Sequence, residues 1–277
     1  MKDTILSKIY NDVRGPDWPD IDGSLYDYYH LPLHIKKECE ENFRIFENIE
    51  SNDYWASHIT PAMMPSDYEK NSLCYIPIAK CASTHYINLF SELGWTPQDF
   101  KPTVDTETTY LFTFIMHPLK RYFKGITEFV WGFRLHQNEH YNELVDLFAI
   151  PDGHTTPYTQ LIPKTVLNNL FCIPMDFLGN DQSRVYLMEY LKNCGHEINL
   201  PPLPLQHVSS PEKLEIYNDL VNRWQHNQNR LHEIYRLGYA EDLKLYRKSV
   251  ENYQHYQQTG EFKSVCLYDS PLTSLSN

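Results

Sequence analysis

The stretch that decides the fold is LCYIPIAKCASTHYINLFSELG, residues 73–94. Its first six residues form a short apolar run, which is typical of a buried strand. Small and polar residues follow as far as Thr84, and apolar side chains then recur at helical spacing up to Leu93, with Gly94 at the expected helix end. The pattern predicts a strand, a tight turn and a helix whose free N-terminal N–H groups attract an anion.

A second pattern of the same kind starts at Tyr110. Residues 110–116 are continuously apolar, as in a strand buried on both faces of a parallel sheet. His117 and Pro118 end this strand, and Pro118 suits the first turn of the helix predicted up to Phe133. The two patterns together predict an α/β fold: a P-loop-like, three-layer domain with a central parallel sheet flanked by helices and a ligand at the carboxyl edge of the sheet.

Basic residues accompany both predicted turns. Lys80 lies in the first turn, between the strand and the helix. On the second helix, the spacing i, i+3, i+4, i+7 places four residues on one stripe: Arg121, Lys124, Gly125 and Glu128. Two separate cationic turns fit a ligand with two anionic ends better than a single phosphate chain.

Composition excludes several classes of function. The chain has 277 residues and a formal net charge of −12, so we expect no general binding to nucleic acid or to an anionic membrane surface. Only 10 residues are glycine, and neither GxGxxG nor GxxxxGK[ST] occurs, which argues against a glycine-rich phosphate loop. The six cysteines form no CxxC pair, so we expect reduced thiols and no metal site.

Segment patterns predict the organisation and location of the chain. Residues 1–70 carry several prolines and read as an irregular wrapping segment with one helix at 33–49, residues 71–250 as the α/β domain, and residues 251–277 as a tail. No apolar run approaches the roughly 18 residues of a membrane span, and the polar N-terminus is unlike a signal peptide. We therefore expect a cytoplasmic protein.

Four short segments carry a resemblance to a known family. Residues 76–84 resemble the 5′-phosphosulfate loop of the carbohydrate sulfotransferases of the heparan and chondroitin type, and residues 114–124 are similar to the 3′-phosphate motif of that family. Residues 176–180 and 234–242 resemble two later landmarks of the family, in the correct order. The chain looks like a soluble, divergent member of this group.

The resemblance implies transfer of a sulfuryl group from 3′-phosphoadenosine 5′-phosphosulfate to a hydroxyl of a carbohydrate or other small acceptor, which leaves adenosine 3′,5′-bisphosphate. It implies that Lys80 neutralises the oxygen from which sulfur departs. The donor nucleotide would be bound by residues of both turns and of one later loop: Lys80, Cys81, Ala82, Ser83, Thr84, His117, Arg121, Lys124 and Ser209.

Three positions depart from the family pattern. Ala79 stands where the family has proline, and Met116 stands where it has a phosphate-binding arginine. Lys124 replaces a serine, so one cation is lost and one is gained at the same predicted site. We interpret this as a functional exchange, and decay of the site is the alternative.

The sequence leaves open which residue is the general base that takes the proton from the hydroxyl of the sulfuryl acceptor. The candidates are His154 in a polar loop, Glu128 on the cationic stripe, and Glu107 or Asp105 before the second strand. The acidic surface favours a neutral or weakly charged acceptor over a sulfated polyanion. The sequence leaves the oligomeric state and the identity of the acceptor open.

Two other functions are compatible with the same residues. A nucleotide-binding protein without activity, on a decayed transferase fold, would also lose the arginine at Met116. A small-molecule kinase is disfavoured because the chain lacks the glycines of a Walker loop.

Overall fold

The computed structural model describes residues 62–66, 73–98, 109–132, 135–137, 141–142, 154–155, 157–162, 164–202, 210–224, 227, 231 and 239–263. The chain divides into two compact units. We call residues 60–116, 158–203 and 244–277 the sheet unit, and residues 1–59, 117–157 and 204–243 the helical unit. The helix predicted at 33–49 and most of the predicted wrapping segment lie outside the described residues.

The sheet unit contains a five-stranded sheet of order β3-β1-β2-β4-β5. Its strands are β1 (Ala62–Pro65), β2 (Leu73–Tyr75), β3 (Trp95–Gln98), β4 (Tyr110–Ile115) and β5 (Leu170–Pro174). β2, β4 and β5 are parallel, as predicted, whereas β1 pairs antiparallel with both β2 and β3. The sheet is therefore mixed, and the prediction of a purely parallel sheet was wrong. The connection from β1 to β2 is too short for the crossover of a dozen or more residues that a parallel pair needs.

The described residues include eight helices. The bounds are α1 (Ser83–Glu92), α2 (Pro118–Gly132), α3 (Tyr158–Leu161), α4 (Lys164–Leu167), α5 (Met175–Leu178), α6 (Asn180–Asn193), α7 (Pro211–Trp224) and α8 (Ala240–Thr259), with a 3-10 turn at Leu135–Gln137. The structure confirms the helices predicted after each of the first two parallel strands. α8 continues to Thr259, inside the segment predicted as a tail. No helix among the described residues combines the length and the apolar character needed to cross a bilayer.

Aromatic side chains form the core of the sheet unit. Tyr86 of α1 stacks on Phe114 of β4 with ring centroids 3.7 Å apart, and Tyr75 of β2 packs on Phe90 at 5.1 Å. Because alternate residues of a strand face the same side, Tyr75, Phe112 and Phe114 present one continuous surface to α1. This packing fixes the start of α1 against the carboxyl ends of the parallel strands.

A separate aromatic cluster holds the helical unit together. Trp224 at the end of α7 lies 5.5 Å from Phe123 and 6.0 Å from Tyr122, both on α2 (centroid distances). Tyr239 packs edge-on against Tyr122 at 5.3 Å. All four rings are buried, so α2 and α7 are firmly paired.

Candidate functional site

The turn between β2 and α1 contains the most unusual backbone among the described residues. The Ile76 amide still donates to the Phe112 carbonyl at 2.9 Å, and the chain then leaves the sheet. Lys80 has φ of +67° and Ala82 has φ of +57°, and no other described residue except glycine has a positive φ. The left-handed region costs an L-residue about 1–2 kcal/mol, and such strain clusters at ligand sites.

The backbone amides of this turn divide into two groups. The Cys81 amide donates to the Ile78 carbonyl at 3.1 Å, which closes the turn. The Ala82, Ser83 and Thr84 amides make no hydrogen bond with the described part of the chain. Left-handed residues on either side of Cys81 give the alternating backbone that forms anion-binding concavities, and the N-terminus of α1 adds its dipole.

The side chains of the turn differ in exposure. Lys80 and Ser83 are half-buried and Thr84 is exposed, whereas Cys81 is fully buried. Helix α1 starts after Ala82 without any side-chain capping bond, so neither hydroxyl is used as an N-cap. Of the residues predicted here, Lys80, Ser83 and Thr84 present polar groups at the surface, and Cys81 supplies packing beneath it.

Two tyrosines form the floor of this turn. Tyr75 and Tyr86 are buried, and neither hydroxyl has a hydrogen-bond partner within the described residues. Burial raises the pKa of both phenols, and the neighbouring Cys81 thiol raises that of Tyr75 further. A buried aromatic layer therefore lies next to the start of α1. Sequence reasoning did not assign this role to either tyrosine.

The second turn, between β4 and α2, is regular and buried. Pro118 opens α2, and the Arg121 amide donates to the His117 carbonyl at 3.0 Å. The side chains of Met116, His117 and Arg121 are 3%, 1% and 0% exposed. A buried guanidinium needs hydrogen-bond partners inside the protein, so the main role of Arg121 is structural. Lys124 is half-buried and lies on the same stripe of α2.

A close contact places His154 beside α2. A Cβ on Gly125 would lie only 2.7 Å from the His154 carbonyl oxygen and from Thr155 Cγ2. Only glycine therefore lets the turn at residues 154–155 lie on this face of the helix. Because Gly125 follows Lys124 directly, the structure brings the exposed His154 next to the cationic stripe, within the helical unit.

Glu128 of the same stripe is held by a lysine that sequence reasoning missed. Lys213 Nζ donates to Glu128 Oε1 at 2.7 Å, and both side chains are largely buried. An ammonium at this distance stabilises the ionised carboxylate, which makes Glu128 a weaker proton acceptor than a free carboxylate. The Ser210 hydroxyl accepts a hydrogen bond from the Lys213 amide at 3.3 Å and so caps the N-terminus of α7. The other candidates, Ser209, Glu107 and Asp105, lie outside the described residues.

Within the described ranges, no three His, Cys, Asp or Glu side chains group closely enough to hold a metal ion. Comparison of the chain with models of protein families, with curated proteins and with solved structures finds no match in any of the three.

Proposed function

We propose that this chain is a sulfotransferase that moves a sulfuryl group from 3′-phosphoadenosine 5′-phosphosulfate to a hydroxyl of a carbohydrate or other small acceptor. The observation that carries the proposal is the Lys80 turn. Lys80 and Ala82 are held in left-handed conformation there, and the backbone amides of Ala82, Ser83 and Thr84 have no hydrogen-bond partner among the described residues. The proposal includes a P-loop-like arrangement of this strand, turn and helix, built without the usual glycines.

The first turn is assigned to the 5′-phosphosulfate. The Ala82, Ser83 and Thr84 amides and the two hydroxyls would donate hydrogen bonds to the 5′-phosphate. Transfer breaks the bond between sulfur and the bridging oxygen, so negative charge develops on that oxygen. Lys80 is the cation of this turn, and it would stabilise the charge as adenosine 3′,5′-bisphosphate departs.

The 3′-phosphate is assigned to the polar stripe of α2. Lys124 is the cation of this assignment because Arg121 and His117 are buried. Met116 is also buried, so the position at which the resemblance places an arginine belongs to the core here. Lys124 therefore takes the role that the resemblance gives to that arginine.

His154 is the proposed general base. In the transfer step, the acceptor oxygen attacks sulfur, its proton passes to the base, and the products are a sulfate ester and the bisphosphate. Glu128 is less suited to this role because Lys213 holds its carboxylate at 2.7 Å. His154 is exposed, and the contact with Gly125 fixes its backbone.

Calorimetric titration tests the donor site. We expect adenosine 3′,5′-bisphosphate to bind the wild-type chain and 5′-AMP to bind at least about tenfold more weakly, since a charge-assisted contact contributes 1.5–3 kcal/mol. Lys124→Ala should weaken binding of the bisphosphate by a similar factor and leave binding of 5′-AMP unchanged. Lys192→Ala, at an exposed position on α6, is the matched control and should bind both nucleotides like wild type.

The outcomes separate the competing functions. Equal or absent binding of the two nucleotides would refute the sulfotransferase proposal. Preference for the bisphosphate without sulfuryl transfer to any acceptor would instead support a non-enzymatic nucleotide-binding protein, which the buried Arg121 and Met116 also favour. Magnesium-dependent binding of ATP would favour a kinase.

A further inference from the structure

A partly exposed tryptophan lies at the far end of the polar stripe of α2. Trp131 follows Lys124 and Glu128 at the spacing i, i+4, i+7, which places it about 10 Å along the same face. The indole is 38% exposed, although its ring nitrogen is bonded: Nε1 donates to Glu212 Oε2 at 2.9 Å. An exposed but fixed aromatic ring is more typical of a binding surface than of a core.

The groups around this ring hold it from two sides. Glu212 Oε1 pairs with His136 Nε2 at 2.9 Å, so each carboxylate oxygen already has one partner. The bond from His136, followed by that from Trp131, lowers the pKa of Glu212, and the carboxylate stays ionised near neutral pH. Lys213 Nζ lies 4.0 Å from the Trp131 ring centroid and also binds Glu128. The ring is therefore preorganised and needs little reordering on binding.

We infer that Trp131, Glu212 and Lys213 form a binding site for a neutral pyranose ring. Lys213 Nζ lies over one face of the indole, so the flat C–H face of a pyranose would pack on the opposite face. Its hydroxyls can donate to the second lone pairs of the Glu212 carboxylate, which is 49% exposed, and can accept from Lys213. This inference rests on the proposed function in naming a neutral sugar as the acceptor class.

The charges of the cluster disfavour other ligands. An anionic sugar or phosphate would meet the half-exposed Glu212 carboxylate, and Lys213 is already paired with Glu128 at 2.7 Å. A purely apolar ligand would leave the carboxylate without a new partner while desolvating it. A ligand with both an apolar face and hydroxyl groups satisfies all three side chains.

Saturation-transfer NMR and tryptophan fluorescence, both without nucleotide, test the inference. The probes are lactose, cellobiose, maltose and diacetylchitobiose at millimolar concentration, with glucuronic acid as the charged comparison. We expect at least one neutral disaccharide to bind, and we expect Trp131→Leu to weaken its binding about tenfold. Trp131→Phe keeps an aromatic ring and should weaken the binding less. Phe177→Leu removes a second ring that is also 38% exposed, and it should leave binding unchanged.

Two results would overturn the inference: no neutral disaccharide binds, or Trp131→Leu and Phe177→Leu weaken binding equally. Stronger binding of glucuronic acid than of every neutral disaccharide would also contradict it. Calorimetry of Trp131→Leu with adenosine 3′,5′-bisphosphate separates this test from that of the proposed function. Nucleotide binding without sugar binding refutes only the sugar site, and sugar binding without nucleotide binding refutes only the sulfotransferase.

Discussion

The two strand–helix connections of this chain begin from similar sequence patterns and differ in their backbone and burial. The connection after β2 has left-handed backbone at Lys80 and Ala82 and amides without a described partner. The connection after β4 passes through Pro118 into α2 and buries His117 and Arg121 completely or nearly so. The first connection leaves three backbone amides without a hydrogen-bond partner among the described residues, at a cost in backbone strain, and the second encloses its histidine and arginine side chains.

This difference shows that a cation near a strand end is not sufficient to define a ligand site. In the first connection the unused groups are backbone amides, which a side-chain substitution cannot remove. In the second, the groups that we propose for ligand binding lie further along the chain, at Lys124 and at the turn carrying His154, which lies against Gly125. We therefore expect substitutions in the first connection to affect chemistry, and those in the second to affect affinity or folding.

The largest effect should come from Lys80. Lys80→Ala is expected to lower sulfuryl transfer from radiolabelled donor to neutral disaccharides by about 100- to 1000-fold, the loss typical of one preorganised stabilising group. Alanine tolerates the left-handed backbone no worse than lysine, so stability should change little. Lys192→Ala is the control. A wild-type rate in Lys80→Ala, or an equal loss in the control, would show that the first connection takes no part in sulfuryl transfer.

The next effect distinguishes the two described candidates for the general base. His154→Gln should lower the same rate by about 100-fold, which is the lower range for loss of a general base. Glu128→Gln should lower it by no more than about fivefold, because a partly exposed ion pair contributes up to about 1 kcal/mol. The reverse order of rates would assign the proton transfer to Glu128, despite its bond to Lys213.

A smaller effect is expected from the packing of the helical unit. The Cβ added by Gly125→Ala would lie 2.7 Å from the His154 carbonyl, and overpacking of this kind costs about 1–3 kcal/mol. The better helix propensity of alanine returns up to about 1 kcal/mol, so urea denaturation should show a net loss of about 1–2 kcal/mol. Lys192→Ala should lie within about 0.5 kcal/mol of wild type. An unchanged stability would show that residues 154–155 move away freely.

The smallest effect concerns the core beneath the first connection. Burial raises the pKa of Cys74 from 9.0 to about 12. The unfolded chain loses the thiol proton near pH 9 while the folded chain keeps it, so the stabilisation is complete below pH 9 and is lost as pH rises towards 12. Between pH 8 and pH 10 urea denaturation should show a loss of about 1 kcal/mol that Cys74→Ala lacks. Identical pH slopes would mean that water reaches this strand.

Local patterns predicted β2, β4 and α1 of the sheet unit, and for a clear reason. β4 is a continuous apolar run. α1 has apolar residues at helical spacing and Gly94 after its end, so the hydrophobic spacing and the glycine at the helix end predicted the same helix. β1 and β3 were missed because each is four residues long and contains a proline, at Pro65 and Pro97. Their order and direction depend on pairing between distant segments, which no local period encodes.

The candidate site was predictable only in part. Lys80, Ser83 and Thr84 were found because a small, polar turn between a strand and a helix is a local feature. The contact of Gly125 with His154 and the bond from Lys213 to Glu128 join segments about 30 and 85 residues apart, respectively. Side-chain type alone did not show that Arg121 is buried and Lys124 is not.

The sequence by itself determined the alternation of strand, turn and helix and the residues of the first turn, because hydrophobic period and helix-end preferences act over a few residues. The tertiary structure decided which polar groups remain available. It placed Ala82 and Lys80 in left-handed conformation, buried Arg121, and paired Glu128 with Lys213. These outcomes depend on packing between segments remote in sequence, where burial and desolvation, rather than local propensity, set the energy.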